Sequence, residues 1–352
     1  MNIKNCWLTI NRACNLRCEW CYAQETYFQK KNNMSIEMVN KLVEMCVPNG
    51  ISHFVIIGGE PTIHPQFFEI LDIIRKKGCK MTIVTNGLRL ADEFFCKQLS
   101  EFSEIVHVSI SLKGSSDDYY NAHCGAPAFS TVLEGLNNCN KHHITYSLTY
   151  VVSSENVSDI DIFAKEIRDA GISDFIAFSF CNETIQPSGT FDNVYTKGKH
   201  PLQINNVFNS KYENLDKILN GKFSLHQTLP LCMCNETMLS RMKDKNQITS
   251  SCHVHNRQGI IFDTNGSILL CNHFVGFGIG KFGIDYYDAT SLASFWNSPS
   301  LTKPHQMLVS MPSIECAECE RNTICGGGCC IQWFSQSFED YQQIYKSIST
   351  HL

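Results

Sequence analysis

The stretch Cys14-Asn15-Leu16-Arg17-Cys18-Glu19-Trp20-Cys21-Tyr22 places three cysteines in a C-x3-C-x2-C spacing, with an aromatic residue just before the third thiol. Thiolate is the standard protein ligand of iron–sulfur clusters, and three thiolates this close can hold three irons of one [4Fe–4S] cube. The fourth iron then lacks a protein ligand, which indicates that a small molecule binds there. The alternatives are scattered reduced thiols or zinc, but zinc prefers four protein ligands and no fourth lies nearby.

Composition excludes several classes of protein. The chain has 352 residues, of which 43% are hydrophobic and 18% are charged, enough for one large or two modest domains. Its net charge is −5 without any basic run, so we expect no nucleic-acid partner. No apolar stretch reaches the length of about 18 residues that a membrane span requires. No apolar signal-peptide region follows Met1.

The cysteine content indicates the compartment. The chain contains nineteen cysteines, an odd number, and many of them are clustered at ligand spacing. Without an export signal, this pattern favours metal clusters in a reducing compartment over a disulfide framework. We therefore expect a cytoplasmic, oxygen-sensitive protein.

Short apolar segments alternate with helical patterns through the first half of the chain. The sequence predicts strands at 7–10, 53–57, 80–84, 105–112, 144–152 and 175–180. It predicts helices at 35–46, 66–77, 92–102, 130–141 and 157–170, the first with Ser35 as its N-cap. This alternation is typical of parallel βαβ units. We therefore predict an α/β fold, a partial (β/α)6 TIM-like barrel over residues 1–190, with its site at the carboxyl ends of the strands.

The rest of the chain divides into a predicted bridging region, 191–250, and a cysteine-rich domain, 251–352. Residues 259–271 read as a hairpin turning at Asn265-Gly266, a pair typical of a type I′ turn. Four cysteines follow in a C-x2-C-x5-C-x3-C spacing, namely Cys316, Cys319, Cys325 and Cys329, and Cys330 is adjacent to the last. The alternative for this pattern is a zinc ribbon.

The N-terminal spacing resembles that of the radical S-adenosylmethionine (SAM) enzymes, and the C-terminal pattern resembles the SPASM domain, which carries auxiliary iron–sulfur clusters. In that domain a cysteine, a glycine and a second cysteine precede the four-cysteine run. Cys252, Gly266 and Cys271 fit this first part. The two resemblances cover roughly residues 7–190 and 250–335 and imply a partial barrel followed by a SPASM-type domain.

The resemblance implies the cofactors and their chemistry. A [4Fe–4S] cluster on Cys14, Cys18 and Cys21 would bind SAM, and its reductive cleavage would give a 5′-deoxyadenosyl radical that abstracts hydrogen from an unactivated C–H bond. The implied SAM contacts lie beside the thiols or at strand ends: Trp20, Tyr22, Gly58, Gly59, Glu60, Pro61, Thr85, Asn86, Ser109, Ser111, Lys113 and Gln186. For each, an ordinary turn, core or surface residue is the alternative.

The resemblance also implies one or two auxiliary [4Fe–4S] clusters. The first would use Cys252, Cys271 and Cys329, and the second Cys316, Cys319 and Cys325. No cysteine follows Cys330, so the last ligand of the SPASM pattern is missing. The second cluster then uses another ligand, keeps an open iron or does not form. Cys232, or less well Cys234, is a candidate fourth ligand of the first cluster, with a buried structural thiol as the alternative.

Two further thiols are candidate catalytic groups. Cys124 and Cys181 follow the fourth and sixth predicted strands, near the expected site. A thiol S–H bond is weak, so either could donate a hydrogen atom to a substrate radical; core packing is the alternative. Four other cysteines on or beside helices are expected to be inert packing residues, namely Cys46, Cys79, Cys96 and Cys139.

SPASM-bearing radical SAM enzymes mostly modify peptides, so the resemblance implies maturation of a ribosomally synthesised, post-translationally modified peptide by crosslinking, thioether formation or epimerisation. A peptide substrate and an electron donor such as flavodoxin or ferredoxin are the expected partners. Because the first strand begins about seven residues in, we expect no fused leader-binding domain before it, and recognition by a separate protein or by the enzyme's own surface. The alternatives are a sulfatase-maturase-like protein oxidase, an enzyme of a small sugar or nucleoside, and a non-catalytic iron–sulfur or zinc protein.

Overall fold

A computed structural model of the protein describes residues 1, 3–23, 32–172, 175–181, 184–185, 191–192, 200–249, 252–310 and 312–349. Gln186, one of the predicted SAM contacts, lies outside the described residues. All nineteen cysteines lie inside them, and none forms a disulfide. The four cysteines predicted as packing residues are buried.

Six parallel strands lie side by side in chain order at the centre of one sheet. They are β1 (Asn5–Thr9), β2 (His53–Ile57), β3 (Lys80–Thr85), β4 (Val106–Leu112), β5 (Tyr146–Val152) and β6 (Ile176–Phe180). Burial alternates along β4, because its valines, isoleucine and leucine point to the face opposite its polar residues. Helical crossovers between neighbouring parallel strands are the predicted βαβ units, and the α/β fold is confirmed.

Helices fill the crossovers and bury their apolar sides against the sheet. They are α1 (Ile36–Cys46), α2 (Phe67–Lys76), α3 (Glu93–Ser100), α4 (Asp117–Cys124), α5 (Phe129–Lys141) and α6 (Ile160–Asp169). Ser35 caps α1 as predicted, since its hydroxyl accepts a hydrogen bond from the Met38 N–H at 3.2 Å. The sequence did not predict α4, whose residues DDYYNAHC have too few apolar side chains to show a helical period.

The sheet continues beyond the predicted domain boundaries at both edges. From the predicted bridging region, β9 (Phe223–His226) pairs with β6, and β10 (Ile248–Thr249) pairs with β9, both in parallel. At the other edge β11 (Gly259–Phe262) pairs in parallel with β1, and β12 (Ile268–Leu269) follows it. The ten strands therefore join all three predicted regions in one sheet.

The remaining elements are short or lie around the C-terminal module. A two-stranded pair is formed by β7 (Thr184–Ile185) and β8 (Phe191–Asp192). The helices are α7 (Pro201–Ile218), α8 (Glu236–Asp244), α9 (His253–Asn256), α10 (Ala289–Trp296), α11 (Pro299–Val309), α12 (Asn322–Cys325) and α13 (Phe338–Ser349). Among the helices described, none has the length and hydropathy needed to cross a bilayer.

The predicted hairpin forms, but its turn is of another type. The Gly266 N–H donates to the Asp263 carbonyl at 2.8 Å, and the Asp263 N–H donates to the Ser267 carbonyl at 2.9 Å. Within this turn only Gly266 has a positive φ, of 76°. A type I′ turn needs two such residues, so that prediction is wrong. The geometry is a type I turn followed by a left-handed glycine, the usual three-residue hairpin loop.

Candidate active site

A cavity of about 550 Å3 lies at the carboxyl ends of the parallel strands. Its walls combine the N-terminal thiols Cys14, Cys18 and Cys21 with thiols of the C-terminal module, namely Cys252, Cys271, Cys329 and Cys330. Strand ends of a parallel sheet meet at one edge, which explains why loops distant in sequence surround one space.

The cysteine loop rests directly on the Gly58-Gly59 turn. The Gly59 N–H donates to the Asn11 carbonyl at 2.9 Å, and the Glu60 N–H donates to the Ala13 carbonyl at 2.7 Å. A Cβ on Gly59 would lie 2.4 Å from the Ala13 carbonyl oxygen, so only glycine permits this approach. The first trio of thiols and the glycine turn are therefore parts of one site.

The Glu60 carboxylate joins the ends of β2 and β3. Its Oε1 accepts hydrogen bonds from the Thr62 hydroxyl at 2.6 Å, the Thr62 N–H at 3.1 Å and the Thr85 hydroxyl at 2.7 Å. Its Oε2 accepts from the Asn86 N–H at 2.8 Å. The Asn86 amide in turn donates to Asn15 of the cysteine loop at 2.7 Å. Burial raises the pKa of Glu60, and these donors oppose that effect. Glu60 thus acts as a clamp between loops.

A Glu60→Gln variant is expected to lose about 1–3 kcal/mol of unfolding free energy, because the new amide nitrogen faces donors and leaves a buried one unpaired. Urea unfolding measures the loss. Glu69→Gln is the control, since Glu69 is exposed and accepts from Gln66 on the surface, so a change within about 0.5 kcal/mol is expected. Equal stability of the two variants would contradict the clamp.

The three N-terminal thiols have different environments. A hydrogen bond from the Cys124 thiol, helped by the positive charge of Lys113, lowers the pKa of Cys18 to about 7. Burial raises the pKa of Cys14 to about 12 and also raises that of Cys21. The Lys113 ammonium donates to the Ser111 hydroxyl at 2.6 Å and lines the cavity. Lys113 thus places a cation beside groups that bind metal as thiolates.

The two candidate hydrogen-atom donors occupy different places. Cys181 follows β6 and lines the cavity, and burial raises its pKa, so it is a protonated thiol at neutral pH. Cys124 ends α4 and is buried behind Cys18, outside the residues that line the cavity. Its carbonyl accepts from the Arg17 N–H at 2.7 Å, which fixes the cysteine loop on α4. Cys124 is therefore placed to support the loop and not to face a substrate.

Most of the predicted SAM contacts share the cavity wall. The described ones that line it are Trp20, Tyr22, Gly58, Gly59, Glu60, Thr85, Asn86, Ser111 and Lys113. Pro61 is buried in a 3-10 turn, and Ser109 lies two residues before Ser111 in β4, about 7 Å further from the strand end. Neither residue lines the cavity, and the contact of each with SAM stays a prediction.

Two histidines that are not among the predicted contacts also line the cavity. His273 stacks on Tyr22 with ring centroids 5.0 Å apart, and His253 stacks on Trp7 at 4.5 Å. Burial lowers the pKa of each histidine to about 4, so both are neutral at pH 7. Within the described residues, His253 Nε2, His273 Nδ1 and Asn272 Oδ1 are buried without a hydrogen-bond partner. Such atoms provide polar contacts for a bound group.

A buried ion pair, also missed by the sequence reading, joins the cysteine loop to the C-terminal hairpin. Arg12 Nη2 lies 2.5 Å from Asp263 Oδ1, and their side chains are 3% and 13% exposed. The two residues are 251 positions apart, so no local signal relates them.

The C-terminal thiols form two groups. Cys252, Cys271 and Cys329 meet at the cavity, with Cys330 packed beside them. Cys316, Cys319 and Cys325 lie in the segment before Cys329. Cys232, predicted as a ligand of the first auxiliary cluster, lies beside this second group instead, because the N–H of the preceding Leu231 contacts Cys325 Sγ at 3.2 Å. In the described ranges no group of three or more His, Cys, Asp or Glu side chains is placed to hold a single metal ion. A cubane differs because each thiolate binds its own iron.

Comparison with known proteins identifies the N-terminal half. Residues 8–167 match the profile of the Radical SAM superfamily, so the chain carries a radical SAM domain. It is 33% identical over 153 residues to the Fe-coproporphyrin III synthase of Methanosarcina barkeri, and 28% identical over 167 residues to the antilisterial bacteriocin subtilosin biosynthesis protein AlbA of Bacillus subtilis. These alignments cover 43% and 47% of this chain but only 37% of each relative, so the chain spans little more than a third of their length.

Other matches extend over the C-terminal module. The serine-type anaerobic sulfatase-maturating enzyme of Bacteroides thetaiotaomicron is 26% identical, covering 93% of this chain and 82% of that protein. The structure of anSMEcpe with bound AdoMet gives a TM-score of 0.70 at 19% identity, covering 99% and 96% of the chains. Streptococcus suis SuiB bound to its precursor peptide SuiA gives 0.71 at 17% identity, covering 96% and 74%. The predicted radical SAM fold, with its parallel sheet and a cysteine-rich C-terminal part, is confirmed.

The cofactors of a radical SAM domain are a [4Fe–4S] cluster and SAM. The donor set fits both: three thiols on one loop lie beside a cation, and unpartnered polar atoms line the same cavity. Which residues contact each group stays a prediction.

Proposed function

We propose that this protein is a radical SAM enzyme that abstracts hydrogen from a peptide during maturation of a ribosomally synthesised, modified peptide. The observation that carries the proposal is the shared cavity, where the N-terminal trio of thiols faces the C-terminal trio across a space of about 550 Å3. A simple electron carrier needs no such space between its clusters. An enzyme needs it for a nucleotide and for the reacting part of a substrate.

The chain's own residues have distinct roles in this proposal. Cys14, Cys18 and Cys21 hold the cluster, and the backbone of the Gly59–Glu60 turn accepts hydrogen bonds from the amino group of SAM. Lys113 offers its ammonium to the SAM carboxylate, opposite in charge. When bound, the cluster and SAM supply a 5′-deoxyadenosyl radical able to remove hydrogen from an unactivated C–H bond. The apolar part of the cavity wall keeps water from this reactive group.

The peptide substrate is supported by relatives and by the fold. AlbA is a subtilosin biosynthesis protein, and SuiB is seen bound to a precursor peptide. We propose that Cys181 supplies a hydrogen atom where the product requires one, since its protonated thiol lines the cavity. A flavodoxin or ferredoxin would reduce the cluster, and a separate protein or the enzyme's own surface would bind the leader. The nineteen cysteines suit the reducing cytoplasm, which is the proposed compartment.

The proposal predicts that anaerobically reconstituted protein converts SAM to 5′-deoxyadenosine when dithionite is added, measured by liquid chromatography and mass spectrometry. Replacing Cys14, Cys18 and Cys21 together with alanine is expected to reduce the product to the enzyme-free level, because the cluster loses its ligands. A Cys46→Ala variant is the control, since Cys46 is buried in the core away from the cavity. Protein that contains only zinc, or that is fully loaded with iron yet makes no 5′-deoxyadenosine, would contradict the proposal.

A sulfatase-maturase-like oxidase is the second candidate, favoured by the alignment over 93% of the chain with the Bacteroides enzyme. Two substrates distinguish the candidates: a sulfatase-derived peptide with serine or cysteine at the modified position, and a precursor peptide encoded beside this gene. An aldehyde on the first, trapped by a hydrazine probe, supports the oxidase. A crosslink or epimer in the second supports the maturase.

A further inference from the structure

The segment 228–234 is fastened to the C-terminal cysteine loop. The Cys329 N–H donates to the Thr228 carbonyl at 2.7 Å. A Cβ on Gly328 would lie 2.7 Å from that same carbonyl oxygen and 2.9 Å from the Pro230 nitrogen, so the two backbones are in direct contact. Beyond the segment, Arg321 pairs with Glu236 at 2.5 Å. Contacts on both sides thus fix the position of the residues between them.

One thiol of the C-terminal cysteine loop, that of Cys325, already receives a hydrogen bond from this segment. The Leu231 N–H donates to Cys325 Sγ at 3.2 Å. Backbone N–H groups directed at cysteine sulfur are a common feature of iron–sulfur sites, where they tune the cluster potential. Cys232 is the next residue, and its side chain is exposed.

Cys232 and Cys234 differ in what they face. Cys232 stands between two contacts with the segment that contains Cys316, Cys319 and Cys325, because the Leu231 N–H before it contacts Cys325 Sγ and Glu236 after it pairs with Arg321. Cys234 is buried among Leu229, Leu231 and other apolar residues, and its thiol donates to the Pro230 carbonyl at 3.6 Å. Of these two thiols, that of Cys232 is the exposed one, and it lies next to the contact with Cys325.

We propose that Cys232, Cys316, Cys319 and Cys325 form a four-thiolate site for a second auxiliary iron–sulfur cluster, with Cys232 in place of the missing cysteine after Cys330. The ligand that the SPASM pattern takes from downstream is supplied here from upstream. With four protein thiolates the cluster has no open iron, so it binds no substrate and serves structure or electron transfer.

The test measures iron and sulfide per chain in a variant that lacks the SAM-binding cluster, because Cys14, Cys18 and Cys21 are replaced by alanine. Into it, Cys232→Ser, Cys319→Ser and Cys234→Ser are introduced singly, and each protein is reconstituted anaerobically. We expect Cys232→Ser to lower iron and sulfide by up to about four per chain, or to convert the cluster to a three-iron form seen by electron paramagnetic resonance. Cys319→Ser should have a comparable effect, and the buried control Cys234→Ser should keep the parent's content.

Folding and function are separated by two further measurements. Cys232 and Cys319 are exposed, so serine is expected to leave the circular dichroism spectrum unchanged. In a chain with Cys14, Cys18 and Cys21 intact, Cys232→Ser should retain the iron held by these three thiols, whether or not SAM is cleaved. Unchanged iron, sulfide and spectra in Cys232→Ser would overturn the proposal. So would an equal loss in Cys234→Ser, unchanged content in Cys319→Ser, or zinc in place of iron at the site.

Discussion

A Gly59→Ala variant is expected to lose about 3 kcal/mol of unfolding free energy and most of the iron bound by the first trio of thiols. The added Cβ would lie 2.4 Å from the Ala13 carbonyl oxygen and 2.5 Å from that of Arg12. Both contacts are backbone, so no side chain can rotate away. Relief requires the cysteine loop to shift, which breaks the Glu60 N–H to Ala13 hydrogen bond of 2.7 Å.

Urea unfolding and iron analysis of the reconstituted protein measure both effects. Gly171→Ala is the matched control, because its Cβ meets nothing within 4 Å although its φ is +65°. That positive φ alone is expected to cost about 1 kcal/mol and to leave the iron content unchanged. If both alanine variants lost the same stability and kept the same iron, contact between turn and loop would not be what holds the site.

An Asp263→Ala variant is expected to lose about 3–5 kcal/mol, because it leaves the Arg12 guanidinium buried without its counter-ion. The Arg12 side chain is only 3% exposed, so water cannot replace the carboxylate. The same change detaches the cysteine loop from the C-terminal hairpin. We therefore expect unfolding at lower urea and slower iron incorporation at the first trio.

A double variant and a surface pair complete this experiment. Arg12→Met with Asp263→Ala removes the unpaired charge and should recover part of the stability lost in Asp263→Ala. Glu213→Ala breaks the pair of Glu213 with Arg241 at 2.8 Å, whose side chains are 70% and 53% exposed, and should cost less than about 1 kcal/mol. A loss in Asp263→Ala as small as that in Glu213→Ala would show that the buried pair contributes little.

The elements predicted well are those whose signal is local. Strand β2 was predicted with its observed bounds, since four consecutive apolar residues follow His53 and stand between clear turns. Helix α4 was missed because its polar sequence is stabilised by Ser116 at its N-terminus and by packing of Tyr120, and not by an apolar stripe. The strands β9, β10 and β11 add to the sheet through partners that no neighbouring residue indicates.

The site residues, too, divide into those that a local sequence signal predicts and those that depend on distant contacts. Spacing within one loop was enough to single out Cys14, Cys18 and Cys21, and turn chemistry was enough for the glycine pair. The ion pair of Arg12 with Asp263 and the place of Cys232 depend on contacts between distant segments. Cys232 was expected near the first auxiliary set because the sequence gives its distance along the chain, whereas the fold places it against the loop that contains Cys325.

The pairing of β1 with β11 has a consequence for biosynthesis. Asn5 lies opposite Gly259, so one edge of the first strand stays open until the ribosome has made about 250 further residues. At the usual rate of translation this takes on the order of 10 to 50 s. Throughout that interval the emerging cysteine loop also lacks the aspartate that anchors Arg12. Cofactor delivery to the first trio is therefore best timed after β11 and Asp263 have been synthesised.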